Sequence, residues 1–227
     1  MISVVIPAHN EADEIGKLLD EFSAFEGLEL IIAEDASTDH TSEIVQEFAT
    51  QNSNVMLSRS PVLAGKGAAV RRGLALATGE VFGFVDGDGS VHPSEFMRVT
   101  DAIRNGADLA VGSRNLQGSI ILFPQPFSRR LSASIYGALV RLLLDTSIRD
   151  FQCGCKAFRR EVWDALTVTC DGFAFDAELI AKAHREGFKI VEVPITWTHK
   201  GNSKVRIARD ALPMLRCLVK TRAEVRG

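Results

Sequence analysis

The amino-acid sequence predicts an α/β fold, in which helices cover both faces of a mostly parallel sheet. Short apolar segments alternate with amphipathic helical segments through the first half of the chain, a pattern typical of parallel sheets. One apolar segment, Val81–Val85, has no polar side chain, as expected of a strand buried on both faces. Gly79 and Gly106 follow two of the predicted helices, in the position where glycine commonly ends a helix.

The individual elements are predicted in chain order from hydrophobic periodicity. Strands are expected at residues 2–6, 28–33, 55–58, 81–85, 109–112 and 190–198, and helices at residues 11–25, 40–51, 68–77, 93–105, 128–144, 175–186 and about 205–221. Asn10 and Asp39 are suited to cap the helices that follow them. Residues 115–127 and 150–154 are expected to be irregular, and Pro213 to break or kink the last helix.

Length and composition indicate a single domain. At 227 residues the chain is long enough for one sizeable domain and too short for two. Hydrophobic residues make up 46% and charged residues 24%, which is an ordinary globular composition. The sequence contains no repeat, low-complexity tract or linker, so we predict one domain over residues 1–227.

Charge is distributed unevenly along the chain. Residues 1–54 contain twelve acidic side chains and one lysine, whereas residues 200–227 contain eight basic and two acidic side chains. The basic C-terminal part suggests an anionic partner, either a membrane surface or phosphates. The alternative is that both segments are solvated helix faces. Nucleic acid is not expected as a partner, because the basic segment lacks interleaved aromatic residues.

The compartment is predicted from the cysteines and the N-terminal segment. Cys153, Cys155, Cys170 and Cys217 are irregularly spaced, which fits a reducing compartment better than a disulfide framework. The first seven residues resemble a strand rather than a signal peptide. No apolar stretch reaches the ~18 residues of a spanning helix. We therefore expect a cytoplasmic location.

Two acids follow the apolar strand Val81–Val85, in the order Asp86-Gly87-Asp88. The carboxyl edge of a parallel sheet is where open α/β folds bind ligands. Two carboxylates separated by a glycine can bind one hard divalent cation, which would bridge to phosphate oxygens and assist the departure of a diphosphate. The alternative is an acidic turn, since Asp and Gly are common turn residues.

Further polar residues follow the first two predicted strands. Residues 7–11 read Pro-Ala-His-Asn-Glu rather than G-x-G-x-x-G, which disfavours a Rossmann dinucleotide site. The segment around Lys66 lacks P-loop spacing, which disfavours a P-loop NTPase. Glu34 and Asp35 end the second strand and place more acids at the same sheet edge as Asp86.

Taken in order, these segments resemble the family 2 glycosyltransferases of the GT-A fold. Their counterparts in that family read P-x-x-N-E, D-D-G-S-x-D and D-x-D. Residues 63–73 resemble the G-K-G-x-A-x-x-x-G segment of dolichyl-phosphate mannose synthases and dolichyl-phosphate glucosyltransferases. Residues 111–114, 149–158, 192–195 and 201–204 match further segments, so the resemblance covers nearly the whole chain. It implies a GT-A-type sheet flanked by helices on both faces.

The resemblance implies a site for a UDP- or GDP-linked sugar in about residues 1–114 and an acceptor and membrane-facing part in about residues 115–227. Asp86, Asp88 and Ser90 would hold Mg²⁺ or Mn²⁺, although mannose synthases have Gln in place of Ser90. The residues implied to bind the nucleotide diphosphate sugar are Pro7, His9, Glu11, Ala33, Asp35, Lys66, Asp86, Gly87 and Lys204.

The implied reaction is inverting transfer of a hexose, glucose or mannose, to a polyprenyl (dolichyl) phosphate. Such an acceptor is already ionised near neutral pH and needs no strong general base. It needs a cationic clamp, for which Arg114, Arg129 and Arg130 are the candidates because arginine binds two phosphate oxygens. The implied catalytic residues are Asp88, Arg114 and Asp176.

Two alternatives to this function stay open. A saccharide or small polar acceptor would need Asp176 or Glu178 as a base, although acids at a helix start also simply favour the helix dipole. A non-catalytic nucleotide- or lipid-binding subunit would need neither.

The lipid acceptor also implies a place of action, which is peripheral on the cytoplasmic membrane face. Residues 131–144 supply an apolar helix face, and the basic residues from Lys200 onward supply charge. The alternative is an ordinary core helix followed by a solvated basic tail.

Overall fold

The computed structural model describes residues 1–201 and 207–226, and a seven-stranded sheet forms its centre. The strands are β1 (Ile2–Ala8), β2 (Leu28–Asp35), β3 (Val55–Ser60), β4 (Val81–Val85), β5 (Leu109–Ser113), β6 (Ile120–Phe123), β7 (Cys155–Arg159), β8 (Ile190–Pro194) and β9 (Thr196–Thr198). The helices are α1 (Ala12–Ser23), α2 (Thr41–Gln51), α3 (Lys66–Leu74), α4 (Pro93–Arg104), α5 (Phe127–Leu144), α6 (Arg160–Ala165), α7 (Phe175–Arg185) and α8 (Ile207–Arg226).

The sheet has the strand order β3-β2-β1-β4-β7-β5-β8 and is parallel except at β7. β7 runs antiparallel to both of its neighbours, β4 and β5. β6 and β9 pair in a separate two-stranded parallel sheet. The predicted α/β class with a mostly parallel sheet is therefore confirmed.

Helices cover both faces because successive side chains of each central strand point to opposite sides. In β1, Val4 and Ile6 pack into the core on the side of α1, α2 and α4. Val5, between them, packs into the core on the side of α3, α5, α7 and α8. Both core layers are closed to water and hold the carboxyl ends of β1, β2 and β4 at one edge.

Several local predictions differ from the structure. β6, β7 and α6 were not predicted, and the predicted strand at 190–198 is divided at Ile195 into β8 and β9. Helix α8 continues through Pro213 rather than breaking there. Glu11 and His40, rather than the predicted Asn10 and Asp39, occupy the N-cap positions of α1 and α2. Asp39 accepts a hydrogen bond from Thr41 N, and its other oxygen accepts one from Ala12 N. The side chain of Asn10 instead binds Thr38 N.

The expectation of no disulfide is wrong for one pair of cysteines. Cys170, which precedes α7, is bonded to Cys217 in α8, and their Cα atoms lie 6.2 Å apart. The two residues are 47 positions apart in sequence, so only the packing of α8 beside α7 brings them together. Cys153 and Cys155 are buried free thiols.

The part of the chain that the structure describes contains no helix with both the length and the apolar character needed to cross a membrane.

Candidate active site

The polar residues predicted to form a site do converge at the carboxyl edge of the sheet. Pro7 lies at the carboxyl end of β1 and Gly87 follows the neighbouring β4, and they are so close that a Cβ on Gly87 would come within 2.9 Å of the Pro7 carbonyl oxygen. His9 Nδ1 lies 2.7 Å from the backbone oxygen of Asp35, which links the ends of β1 and β2. Glu11 is half-buried at the start of α1, and its backbone N–H donates to Thr41.

Asp35 has a structural task in this arrangement. One oxygen of its buried carboxylate accepts hydrogen bonds from Ala64 N at 2.9 Å and Gly65 N at 2.8 Å. These bonds fix the segment that leads into α3, at whose first position Lys66 stands. Ala33 is completely buried in the apolar core, and this leaves its side chain no surface for a nucleotide. Binding of a nucleotide by Asp35 stays a prediction, whereas the burial of Ala33 opposes its predicted contact with one.

Gly65 is required at the turn into α3. Its φ of 105° lies in the region that favours glycine, and a Cβ there would stand 2.7 Å from the backbone oxygen of Asp171. The turn aims the Lys66 ammonium at two carboxylates, 2.9 Å from Asp86 Oδ1 and 3.1 Å from Asp176 Oδ2. Although burial opposes the change, the charges of Asp176 and Asp86 raise the pKa of Lys66 above its usual value.

The Asp86-Gly87-Asp88 turn fits a divalent cation. Burial and the neighbouring charge of Asp86 raise the pKa of Asp88, so a cation would relieve a repulsion that the structure already contains. Both side chains offer the hard oxygen ligands that Mg²⁺ and Mn²⁺ prefer, and substrate phosphates and water usually complete such a shell. Ser90 is buried and hydrogen-bonds Asp88 through its backbone N–H, at 2.9 Å from Oδ1, and through its side chain. It therefore supports Asp88 in this structure.

Asp176 is held in a buried ion pair that the sequence did not reveal. Lys156 is completely buried in β7, and its Nζ lies 2.5 Å from Asp176 Oδ1 and donates to the backbone oxygens of Phe151 and Cys153. Although burial opposes the change, Lys156 and Lys66 lower the pKa of Asp176. This environment opposes the role of general base considered for Asp176. A lysine in the otherwise apolar stretch Cys-Lys-Ala-Phe was the one available signal.

Glu178 is also engaged in structural bonds. Its buried carboxylate accepts hydrogen bonds from the backbone N–H groups of Thr169 and Cys170, at 3.0 and 2.7 Å. Lys182 donates to it at 2.7 Å. Glu178 thus fixes the loop before α7 to the helix, and this arrangement gives it no geometry for proton transfer to a substrate.

Arg114 forms a two-point ion pair with Asp150, a residue that sequence reasoning did not select. Its Nε and Nη2 donate to the two carboxylate oxygens at 2.7 and 2.8 Å, and its backbone N–H adds a third bond at 2.9 Å. The guanidinium also lies 5.2 Å from the centre of the Trp197 ring. Although burial opposes the change, Arg114 lowers the pKa of Asp150. Asp150 and Trp197 therefore hold the Arg114 guanidinium in one position.

The other predicted arginines lie at the start of α5. Arg129 is half-buried and Arg130 is exposed, and both backbone N–H groups donate to Pro126 O in the first turn. Their binding of a phosphate stays a prediction. Lys204, which was predicted to contact the diphosphate, lies outside the described residues.

This fold and this site define a class of protein, the GT-A-type glycosyltransferases. Their marks here are a mostly parallel sheet with an Asp-x-Asp turn at its carboxyl edge and polar ends on the two preceding strands. The family model of glycosyl transferase family 2 matches residues 3–167, and the chain belongs to this family. The family suggested by the sequence motifs is confirmed.

Relatives from several organisms share much of the chain. It is 34% identical to glycosyltransferase AglD of Haloferax volcanii over 223 residues, which cover 94% of this chain and 35% of that protein. It is 30% identical to a dolichyl-phosphate beta-glucosyltransferase of Dictyostelium discoideum, and the match covers 97% of this chain and 73% of that protein. It is 33% identical to the polyprenol monophosphomannose synthase of Mycolicibacterium smegmatis, and the match covers 87% of this chain and 77% of that protein. The chain thus spans only about a third of the Haloferax protein.

A solved structure shows the same fold. Glucosyl-3-phosphoglycerate synthase from Mycobacterium tuberculosis, crystallised with Mn²⁺ and UDP, superposes with a TM-score of 0.73 at 22% identity, covering 98% of this chain and 80% of that one. The GT-A fold is therefore confirmed.

Proposed function

We propose that the protein is an inverting, metal-dependent hexosyltransferase, moving glucose or mannose from a UDP- or GDP-linked sugar to a polyprenyl phosphate. One observation carries the choice of acceptor. The two carboxylates considered as a base, Asp176 and Glu178, are both buried and paired with lysines. An acceptor that must lose a proton would find no base among them, whereas a phosphate monoester is already ionised.

The names of the relatives support the same acceptor. Relatives of which the chain covers about three quarters of the length include a dolichyl-phosphate beta-glucosyltransferase and a polyprenol monophosphomannose synthase. The shared acceptor chemistry in these names is a polyprenyl phosphate, while the sugar differs between them.

In this reaction a phosphate oxygen of the acceptor bonds to the anomeric carbon while the bond from that carbon to the diphosphate breaks. The electron pair of the broken bond leaves with the nucleoside diphosphate, so no net proton transfer is needed. Asp86 and Asp88 would hold the divalent ion, which when bound neutralises charge on the departing diphosphate. Lys66 would add a second positive charge there, and Arg114 would attract and orient the acceptor phosphate.

A lipid acceptor needs a surface that meets the membrane, and we infer that β6 and the start of α5 provide it. All four residues of β6 are exposed although they read Ile-Ile-Leu-Phe. Phe127, Leu131 and Ile135 continue the exposed apolar surface along α5. We call the surface of these seven residues the apolar edge. Arg130, which is exposed, borders this edge on the flank of α5, as expected of a surface that meets anionic lipid headgroups.

The test is transfer of labelled sugar from UDP-glucose and GDP-mannose to a short polyprenyl phosphate, with Mg²⁺, with Mn²⁺ and with EDTA. We expect an organic-extractable product of inverted anomeric configuration, formed only with metal. Asp88→Ala should abolish turnover and leave the fold intact, whereas Asp101→Ala, at an exposed acid of α4, should leave the rate unchanged. Transfer to a free saccharide but not to the lipid, or undiminished activity of Asp88→Ala, would contradict the proposal.

A further inference from the structure

Four charged side chains form a row that ends at the proposed metal site. In order they are Lys156, Asp176, Lys66 and Asp86, and each contact between neighbours is 2.5 to 3.1 Å long. The ring of Phe84 underlies both lysines, with its centre 5.3 Å from Lys156 Nζ and 5.4 Å from Lys66 Nζ. Lys156, Asp176 and Lys66 are thus largely shielded from water, which strengthens their charge interactions, while Asp86 at the end of the row is partly exposed.

The burial of each member determines how the charges pair. Lys156 is completely buried and lies closer to Asp176 than Lys66 does, so it supplies the main counter-charge of that carboxylate. Lys66 is then the cation that neutralises Asp86. The Asp86 carboxylate has little room to turn away, because Gly154 stands against its other side and only a glycine fits there. Lys66 and a divalent cation would therefore compete for the same carboxylate.

We propose that Asp176 is a positioning residue that retains Lys66 in the site when a divalent cation binds Asp86. This inference rests on the proposed metal dependence. Once a cation is on Asp86, Lys66 is repelled by it and loses its stronger contact. The remaining contact with Asp176, at 3.1 Å, keeps the ammonium beside the acid pair. Lys66 then points its charge at the diphosphate instead of at the protein, and Lys156 keeps Asp176 ionised and in place.

The test is the Mn²⁺ affinity of the metal-free chain of residues 1–227 without nucleotide, measured from the electron paramagnetic resonance signal of free Mn²⁺. Lys66→Met removes the competitor and should tighten Mn²⁺ binding about tenfold, which corresponds to about 1.4 kcal/mol. Asp176→Asn leaves Lys66 to Asp86 alone and should weaken Mn²⁺ binding about tenfold. In the double variant the effect of Asp176→Asn should fall below about twofold, since there is no lysine left to hold.

The double-mutant cycle separates positioning from a general effect of charge or structure. A merely structural Asp176 would weaken Mn²⁺ binding equally with and without Lys66, and this result would overturn the inference. Unchanged Mn²⁺ affinity of Lys66→Met would overturn it as well. Lys182→Met is the matched control, because it removes a lysine paired with another buried acid of α7, and should change Mn²⁺ affinity less than about twofold.

Asp176→Asn leaves the Lys156 charge without its partner and is expected to lower stability. The same cycle is therefore also measured with Lys156→Met added to the two variants that carry Asp176→Asn, so that neither member of the buried pair is left charged without the other. Loss of coupling there, with folded protein by circular dichroism, would overturn the inference. No Mn²⁺ binding by the wild type would overturn the metal dependence too, whereas absent sugar transfer with an intact cycle would overturn only the proposed acceptor.

Discussion

Asp150→Asn should destabilise the protein, because it removes the counter-charge of Arg114 from a buried site. The wild-type carboxylate accepts two hydrogen bonds from the guanidinium and one from the Arg114 backbone, and it also accepts one from Cys153 N at 3.1 Å. An asparagine at this position keeps the size of the side chain. It loses the charge and one acceptor oxygen, so at least one of these donors is left without a partner.

The expected loss follows from the burial of the pair. Breaking a buried ion pair by removing one partner costs about 3 to 5 kcal/mol. The Arg114 side chain is 20% exposed, so solvent screens part of its charge and we expect about 2 to 3 kcal/mol. For a chain of this length, that loss corresponds to a fall in Tm of about 4 to 12 °C.

Thermal and urea unfolding at pH 7 measure the loss. The control is Asp101→Asn, which breaks an exposed pair with Arg104 and should cost less than about 0.5 kcal/mol. A loss for Asp150→Asn no larger than that of the control would refute the assigned role of the pair.

The same variant gives a pH test with a definite sign. Burial raises the pKa of Asp150, but Arg114 outweighs it and holds the pKa below its usual value. A lowered pKa contributes stability above the unfolded-state value of about 3.9, and the contribution is lost as pH falls through the folded-state pKa. The stability gap between wild type and Asp150→Asn should stay constant from pH 7 to 5 and narrow only below about pH 4. A gap that narrows already between pH 7 and 5 would contradict this assignment.

Three further predictions concern the metal site, the disulfide and the membrane. Gly154→Ala should weaken Mn²⁺ binding at least about tenfold with the fold retained, because the alanine Cβ would collide with the Asp86 carboxylate. An unchanged Mn²⁺ affinity in a titration would contradict this geometry. Reduction of the Cys170–Cys217 disulfide, or Cys217→Ser, should lower the free energy of unfolding by up to about 4 kcal/mol, because the bond closes a loop between cysteines 47 positions apart. Equal guanidinium unfolding midpoints with and without reductant would contradict a stabilising bond. Phe127→Ser and Arg130→Gln should each reduce cosedimentation with anionic liposomes. The arginine variant should reduce it about fivefold and only at low salt. Equal binding of the wild type to neutral liposomes would exclude an electrostatic contribution to membrane binding.

The sequence predicted the parts of the site that depend on local order. Strand periodicity followed by Asp86-Gly87-Asp88 identified both the strand and its acid turn, because a parallel strand must end at the ligand-binding edge. The convergence of Pro7, His9 and Asp35 followed from the same rule.

The partners of these residues were not predictable, because long-range packing determines them. Arg114 and Asp150 are 36 positions apart, and Lys156 and Asp176 are 20 apart. No periodicity links such pairs. The strand β7 also escaped prediction, because it is short and enters the parallel sheet in the opposite direction, between two strands that precede it in the chain.

One short segment, residues 149–156, connects the two halves of the proposed site. Asp150 fixes Arg114, the proposed ligand of the acceptor phosphate, and Gly154 confines the Asp86 carboxylate while its backbone oxygen accepts a bond from Asp86 N. Lys156, at the start of β7, fixes Asp176 and through it Lys66. The Glu192 carboxylate also holds the segment, because it accepts hydrogen bonds from the backbone N–H groups of Arg149 and Asp150. One segment, which leads into β7, therefore sets the positions of both the Asp86 carboxylate and the Arg114 guanidinium.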